Sequence, residues 1–174
     1  MHPVRAAESS GDSSAITPAA FESRFWDAAA RHQLVVLRCA HCGRYQYPPS
    51  GCCENCAHVD FQVRAVSGLA SLWSWTVTRR QLARVAIWDC PYLVTCAELV
   101  EQPGLTMVTS CPLDLVDPAA LRLDMPLEVA FVANPRTGAQ MPHFVPRTSL
   151  PGTSLWSVIE PTERSPSSAL PTRR

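Results

Sequence analysis

Cys39-Ala40-His41-Cys42 and Cys53-Glu54-Asn55-Cys56 are two C-x-x-C pairs with ten residues between them. This spacing constrains the chain more than any other feature. Two such pairs bring four thiolates to one point, and Zn²⁺ takes four sulfurs tetrahedrally with no position left for a substrate. The interval is shorter than that of the common zinc ribbons and suits a small rubredoxin-like pair of knuckles. A structural zinc held by Cys39, Cys42, Cys53 and Cys56 is therefore expected. Gly43 follows the first pair, where a knuckle needs a residue that tolerates positive φ.

Disulfides are the competing use of these thiols. Residues 1–17 are polar and Ser-rich with no apolar signal core, and no run has the length of a membrane span. A cytoplasmic setting follows, in which clustered thiols bind metal more often than they pair. Cys52 is a fifth thiol beside the cluster. A C-x-x-C turn has better geometry than C-x-x-x-C, so Cys52 is left out of the ligand set. His41 is read as a turn residue facing solvent.

The rest of the chain reads as short elements. Residues 1–16 form a disordered leader. Thr17-Pro18 starts a helix, Thr as N-cap and Pro in the first turn, running to about Arg31. Phe21, Phe25, Ala28, Ala29 and His32 share one face of it, with Trp26 beside them. This helix, in a unit spanning 17–33, either packs on the chain's own core or docks in a partner through Phe21, Phe25 and Trp26. Residues 34–66 make the zinc ribbon, with strands at Leu34–Arg38 and Val59–Val66. Ser67-Gly68 marks a turn, and an all-β unit follows over 67–146.

In that unit the first strand alternates, with Leu69, Ser71, Trp73, Trp75 and Val77 expected on the inner face. Further strands fall at Pro91–Val100, Leu105–Cys111, Met125–Ala133 and Gln140–Val145. A capped helical turn at Asp117–Leu121 precedes the last two. Three strands, a short helix and two more strands is the order of the five-stranded OB-fold barrel. The predicted fold is mainly β with an N-terminal helix. Residues 147–174 form a mobile Pro/Ser/Thr/Arg-rich tail, interrupted by the apolar island Leu155-Trp156-Ser157-Val158-Ile159.

No catalytic set is legible. The five His are scattered, and G-x-S-x-G, H-E-x-x-H and a glycine-rich phosphate loop are missing. Cys90, Cys96 and Cys111 read as thiols on or beside strands. Two features could bind a ligand. Trp73 and Trp75 could stack bases, as OB-fold aromatics do, or fill the barrel. Arg79, Arg80 and Arg84 could hold phosphates through forked hydrogen bonds, or form a solvated loop. The chain has 15 Arg, no Lys, 15 acids and a formal net charge of zero. That balance disfavours nucleic acid as a partner.

Taken in order, several motifs resemble one bacterial and archaeal family, domain of unknown function thirty-five, which joins a rubredoxin-like zinc ribbon to an OB-fold. They are Phe25-Trp26, Leu34 to Cys39 leading into Cys-x-x-Cys-Gly at 39–43, Pro48-Pro49, Cys53-x-x-Cys56 and Ser67-Gly68. Trp73-Ser74-Trp75-Thr76-Val77, Pro91-Tyr92, Met125-Pro126-Leu127-Glu128-Val129 and Phe144-Val145-Pro146 complete the set. The resemblance covers about residues 17–146. Ala70 and Asp124 stand where the family often has Gly, Glu54 where it has Pro, and Ser50 where a basic residue often follows the two prolines.

The resemblance implies a non-catalytic accessory subunit of a thiolase-fold enzyme complex acting on acyl-CoA or acyl thioesters. The enzyme would be a thiolase, a lipid-transfer-protein-like aldolase, an acyltransferase or a ketosynthase-like protein, in a hetero-oligomer. Some members pair instead with hot-dog-fold acyl-CoA hydratases. Under that implication Phe21, Phe25 and Trp26 contact the partner, and Arg79, Arg80 and Arg84 contact the partner or coenzyme A phosphates. An OB-fold that binds nucleic acid is the alternative from a different class, and salt dependence separates the two.

Overall fold

The computed structural model describes residues 16–80 and 87–147. The expected leader, tail, apolar island and Arg84 lie outside the described residues. Helix α1 spans Pro18–Ala29. Thr17 caps it by accepting the Ala20 N–H at 3.2 Å. Its C-terminus closes with paired bonds, Gln33 N–H to Ala28 O and His32 N–H to Ala29 O. This is a Schellman closure with His32, at φ 56°, in the left-handed position that glycine usually takes. His32 therefore does not extend the buried stripe. It is exposed, and its ring stacks on Phe131 at 5.4 Å.

Two antiparallel sheets follow. The first contains β1 (Val35–Cys39), β2 (Tyr45–Gln46) and β3 (Phe61–Ala65) in the order β2-β1-β3. The second contains β4 (Leu69–Thr78), β5 (Tyr92–Leu99), β6 (Thr106–Pro112), β7 (Pro126–Ala133) and β8 (Gln140–Pro146). Its order is β6-β5-β4-β7-β8, and the two edge strands β6 and β8 approach each other. This is the five-stranded, partly open OB barrel. A single 3₁₀ turn at Pro118–Ala120, capped by Asp117, stands between β6 and β7.

The first barrel strand departs from the sequence expectation. Register along β4 slips between Leu72 and Ser74, so Trp73 has no partner on β5. A bulge of this kind adds one residue and shifts the alternation behind it. Ala70 and Leu72 point inward before the bulge, and Trp75 and Val77 pack on the core after it. Leu69, Ser71 and Trp73 are thus not the inner face, and Trp73 is 59% exposed. Trp73 and Trp75 do not form one stacking platform.

One apolar core runs through helix, ribbon and barrel. It joins Phe21 and Phe25 to Leu37 and Phe61 of the ribbon and to Leu72, Leu93 and Phe144 of the barrel. Phe21 and Phe25 are 3% and 7% exposed and sit edge-on or tilted against Tyr47. At full burial each contributes on the order of 2 kcal/mol. Two polar devices fix the ribbon on the barrel. Gln102, in the turn between β5 and β6, accepts the Tyr45 N–H at 2.8 Å and donates to Tyr45 O at 3.0 Å. Glu101 accepts the Ser67 N–H at 2.5 Å. At the junction Gly68 has φ 76°, and a β-carbon there would collide with the Val129 side chain.

Candidate functional site

The sulfurs of Cys39, Cys42, Cys53 and Cys56 all lie within 4.8 Å of one another. Cys39 and Cys56 are 3.6 Å apart, as are Cys42 and Cys53. A disulfide would need about 2 Å. Four sulfurs at 2.3 Å from a central zinc would stand about 3.8 Å apart. The donor set and its spacing thus fit a tetrahedral zinc and do not fit disulfides.

Local backbone bonding explains why the cluster forms. Cys39 ends β1. Its carbonyl accepts the Gly43 N–H at 3.0 Å, and its N–H donates to Arg44 O at 2.8 Å. The second pair repeats the arrangement: Ala57 N–H to Cys53 O at 2.8 Å, and Cys53 N–H to His58 O at 2.7 Å. Both turns need a positive φ after the second cysteine, met by Gly43 at 74° and Ala57 at 60°. Ala57 does this without glycine's freedom, so the sequence hides the second half of the symmetry. His41 and His58, one from each knuckle, stack at 3.8 Å with 2° between their rings.

The thiols differ in acidity. The Arg44 backbone N–H, with help from the neighbouring sulfurs, brings Cys42 down to about 6. At Cys56 the His58 backbone pulls the other way, but burial and the three neighbouring sulfurs push the thiol up to about 12. Thiols gathered this closely titrate together and take up a metal with proton release.

Cys52 is exposed and lies outside the sulfur cluster. Its carbonyl accepts from Ser50 Oγ and Gln46 Nε2. Gln46 is buried, and its Oε1 accepts the Glu54 N–H at 3.0 Å. One side chain from β2 thus brackets Cys53, the first ligand of the second knuckle, from both sides. Sequence reasoning passed over Gln46, for which a lone glutamine between two tyrosines gives no signal.

The other candidate residues do not converge on the metal cluster. Arg79 and Arg80 are exposed at the end of β4. Trp26 is 37% exposed on α1, at the mouth of a cavity of about 530 Å³ between α1 and the β6/β8 side of the barrel. Its walls include Phe25, Ile87, Met107, Val108 and Met141. Phe21 and Phe25 reach the cavity from below while serving the core. His143 is buried in the barrel, and among the described residues neither of its ring nitrogens meets a hydrogen-bond partner. Trp88 meets it edge-on at 5.5 Å and donates its indole N–H to Ser110 O at 2.9 Å. Burial pushes His143 down to about 4, against a smaller opposing pull from the Ser110 backbone. Among the described residues no helix is long and apolar enough to cross a membrane.

Comparison with known proteins agrees with this geometry. Residues 26–62 match the family model of the ChsH2 rubredoxin-like zinc ribbon domain. A chain of the solved Ltp2-ChsH2(DUF35) aldolase superposes with a TM-score of 0.59 at 25% identity, covering 72% of this chain and 93% of that one. A DUF35-family protein from Sulfolobus solfataricus aligns at 14% identity and a TM-score of 0.44 over 62% and 75% of the two chains. A curated relative, the probable enoyl-CoA hydratase alpha subunit of Thermomonospora curvata, is 30% identical over 107 residues, 61% of this chain. This chain spans about a third of that relative's length, 32%. The chain thus carries a ChsH2-type rubredoxin-like zinc ribbon at residues 26–62, and its wider fold is similar to that of a chain of the Ltp2-ChsH2(DUF35) aldolase.

Proposed function

We propose that this protein is a non-catalytic, zinc-stabilised accessory subunit of a thiolase-fold enzyme complex acting on acyl-CoA or acyl thioesters in the cytoplasm. The observation that carries the reading is the superposition on a chain of the Ltp2-ChsH2(DUF35) aldolase, which takes in 93% of that chain. The chemistry of the chain supports it. A closed four-sulfur site leaves no coordination position for substrate. His32 stacks on Phe131, His41 on His58, and His143 is sealed in the barrel. Trp26 and Trp73 offer exposed indoles for a protein interface. Arg79 and Arg80, with Arg84 four residues further along the sequence, are the cations proposed to meet the partner or a coenzyme A phosphate.

The relation to a hydratase alpha subunit supports a second reading, in which the partner is an acyl-CoA hydratase. Co-expression with a thiolase-like protein and, separately, with a hydratase-like protein of the same genome tests both. The expected result is a stoichiometric complex with the thiolase-like protein, whose acyl-CoA activity falls when this chain is omitted. A complex with the hydratase alone selects the second reading. Failure with both, together with nucleic-acid binding that collapses as salt rises, overturns the accessory-subunit reading.

A further inference from the structure

Trp26, Trp73, Val108 and Leu123 are 37%, 59%, 63% and 61% exposed. They are far apart in sequence, yet strand register sets them on one line. Ser74 of β4 pairs with Cys96 of β5, and Cys96 with Val108 of β6, so one row crosses three strands. Trp73 is the bulged residue at the β4 end of that row. Alternation along β5 buries Thr95 and Ala97 and turns Cys96 outward. Beyond β4, Asp124 N–H donates to Leu72 O and Leu72 N–H to Met125 O. That antiparallel pairing sets Leu123 beside Trp73. At the other end Val108 and Trp26 share the mouth of the cavity. The stripe thus runs from Leu123 through Trp73, Cys96 and Val108 to Trp26, across the strands rather than along one.

We infer that this stripe is the docking surface for the partner enzyme subunit, which meets it with an apolar ridge flanked by Lys or Arg. The inference rests on the accessory-subunit reading and adds the place and chemistry of the contact. The four large side chains expose on the order of 400 Å² of apolar surface. A specific complex takes roughly 450–500 Å² of apolar area from each partner, so one partner of ordinary size would use the stripe fully. A strand added at the β6 edge would reach Val108 and leave Trp73 and Leu123 bare.

Charge selects between a partner and a second copy. Three carboxylates border the stripe. Glu22 lies one helical turn before Trp26 and shares the cavity mouth with it. Glu98 stands two residues from Cys96 on the same face of β5, and Asp124 follows Leu123. The arginines close by are turned elsewhere. Arg122 donates to the carbonyls of Ala119 and Leu121, and Arg24 lies about 200° round the helix from Trp26. Pairing this face with itself would set carboxylates against carboxylates. A ridge flanked by Lys or Arg turns the same border into attraction.

The test measures binding of the full-length, zinc-loaded chain to the purified thiolase-like subunit of the same genome, or to the hydratase-like one if the chain selects that. Trp73→Ser/Leu123→Ser should weaken the complex about 30-fold or more, with zinc content and melting temperature kept. Glu22→Arg, at the other end of the stripe, should weaken it several-fold and flatten its loss of affinity with added salt. Val59→Ser changes a ribbon residue that is 51% exposed and off the stripe, and it should bind as the parent does. Equal binding by the parent and both stripe variants overturns the stripe and leaves the accessory-subunit reading standing. A parent that binds neither enzyme overturns that reading, and the stripe falls with it. A parent that dimerises alone, in a dimer that Trp73→Ser/Leu123→Ser dissolves, assigns the stripe to a second copy and overturns the inference.

Discussion

The ribbon and the barrel reach order by different routes. The ribbon has three short strands, and four sulfurs gather at one end of them. Its two knuckles repeat the same pair of backbone bonds, so its geometry is local and almost symmetric. The barrel has no such centre. Its order comes from register over long antiparallel pairs and from inward side chains such as Leu72, Leu93, Ala97 and Leu127. Metal binding can contribute more than ten kcal/mol to a small domain, on the order of its whole folding free energy. A β-barrel instead sums many contributions of a few kcal/mol each. Local geometry of the first kind is written in spacing, whereas the second depends on residues far apart in the chain.

The largest effect expected from this contrast is at the metal. Cys39→Ser should abolish stoichiometric zinc, read by elemental analysis, and strip hydrogen-exchange protection from β1–β3. The barrel strands should keep most of theirs. Equal loss in both sheets would show that the shared core has welded the two into one cooperative unit and would break the comparison.

Acid should act on the barrel through His143. Its folded-state value lies at about 4, below the ordinary 6.5, so the unfolded chain takes the proton first. Stability is unaffected above about pH 6.5 and falls as pH drops toward 4, by about 3 kcal/mol over that window. His143→Leu should flatten the slope in denaturant titrations run from pH 7 to 4. A slope that survives the substitution would assign the acid sensitivity to other groups.

The junction gives two smaller effects. Gly68→Ala forces a β-carbon into Val129 at a positive φ and should cost about 2 kcal/mol of global stability by thermal melting. Gln102→Ala removes both bonds to Tyr45 and should cost about 1 kcal/mol. The loss should appear as faster exchange at Tyr45 without zinc release. Zinc loss in this variant would mean that the barrel, and not the sulfurs alone, holds the ribbon closed.

The sequence makes the cysteine cluster legible because ligand spacing is a short-range property. Strand positions other than that of the two-residue β2 are legible to within a residue or two for the same reason, since alternation and turn residues are local. Asp124 sits at φ 61°, a turn conformation that glycine would have announced and that an Asp here adopts instead. What escaped is non-local or counts a single residue. The bulge at Trp73 has no marker such as glycine, and it inverted the inner face over the first half of β4. His32 closes a helix where glycine would announce the end. Gln46 and Gln102 act by bonding backbone that the fold brings to them.

The bulge also separates what the barrel requires from what it carries. Were Trp73 deleted, Ala70, Leu72, Trp75 and Val77 would fall into one uninterrupted alternation, all still inward. The sheet would lose a bend and gain a regular rung, and the interior would be unchanged. Trp73 is therefore a surplus letter in the barrel's pattern, a large indole shown to water at a point where the core asks for nothing. Its retention is answerable to whatever meets that outer face, so substitutions there should leave folding untouched and register only in the company the protein keeps.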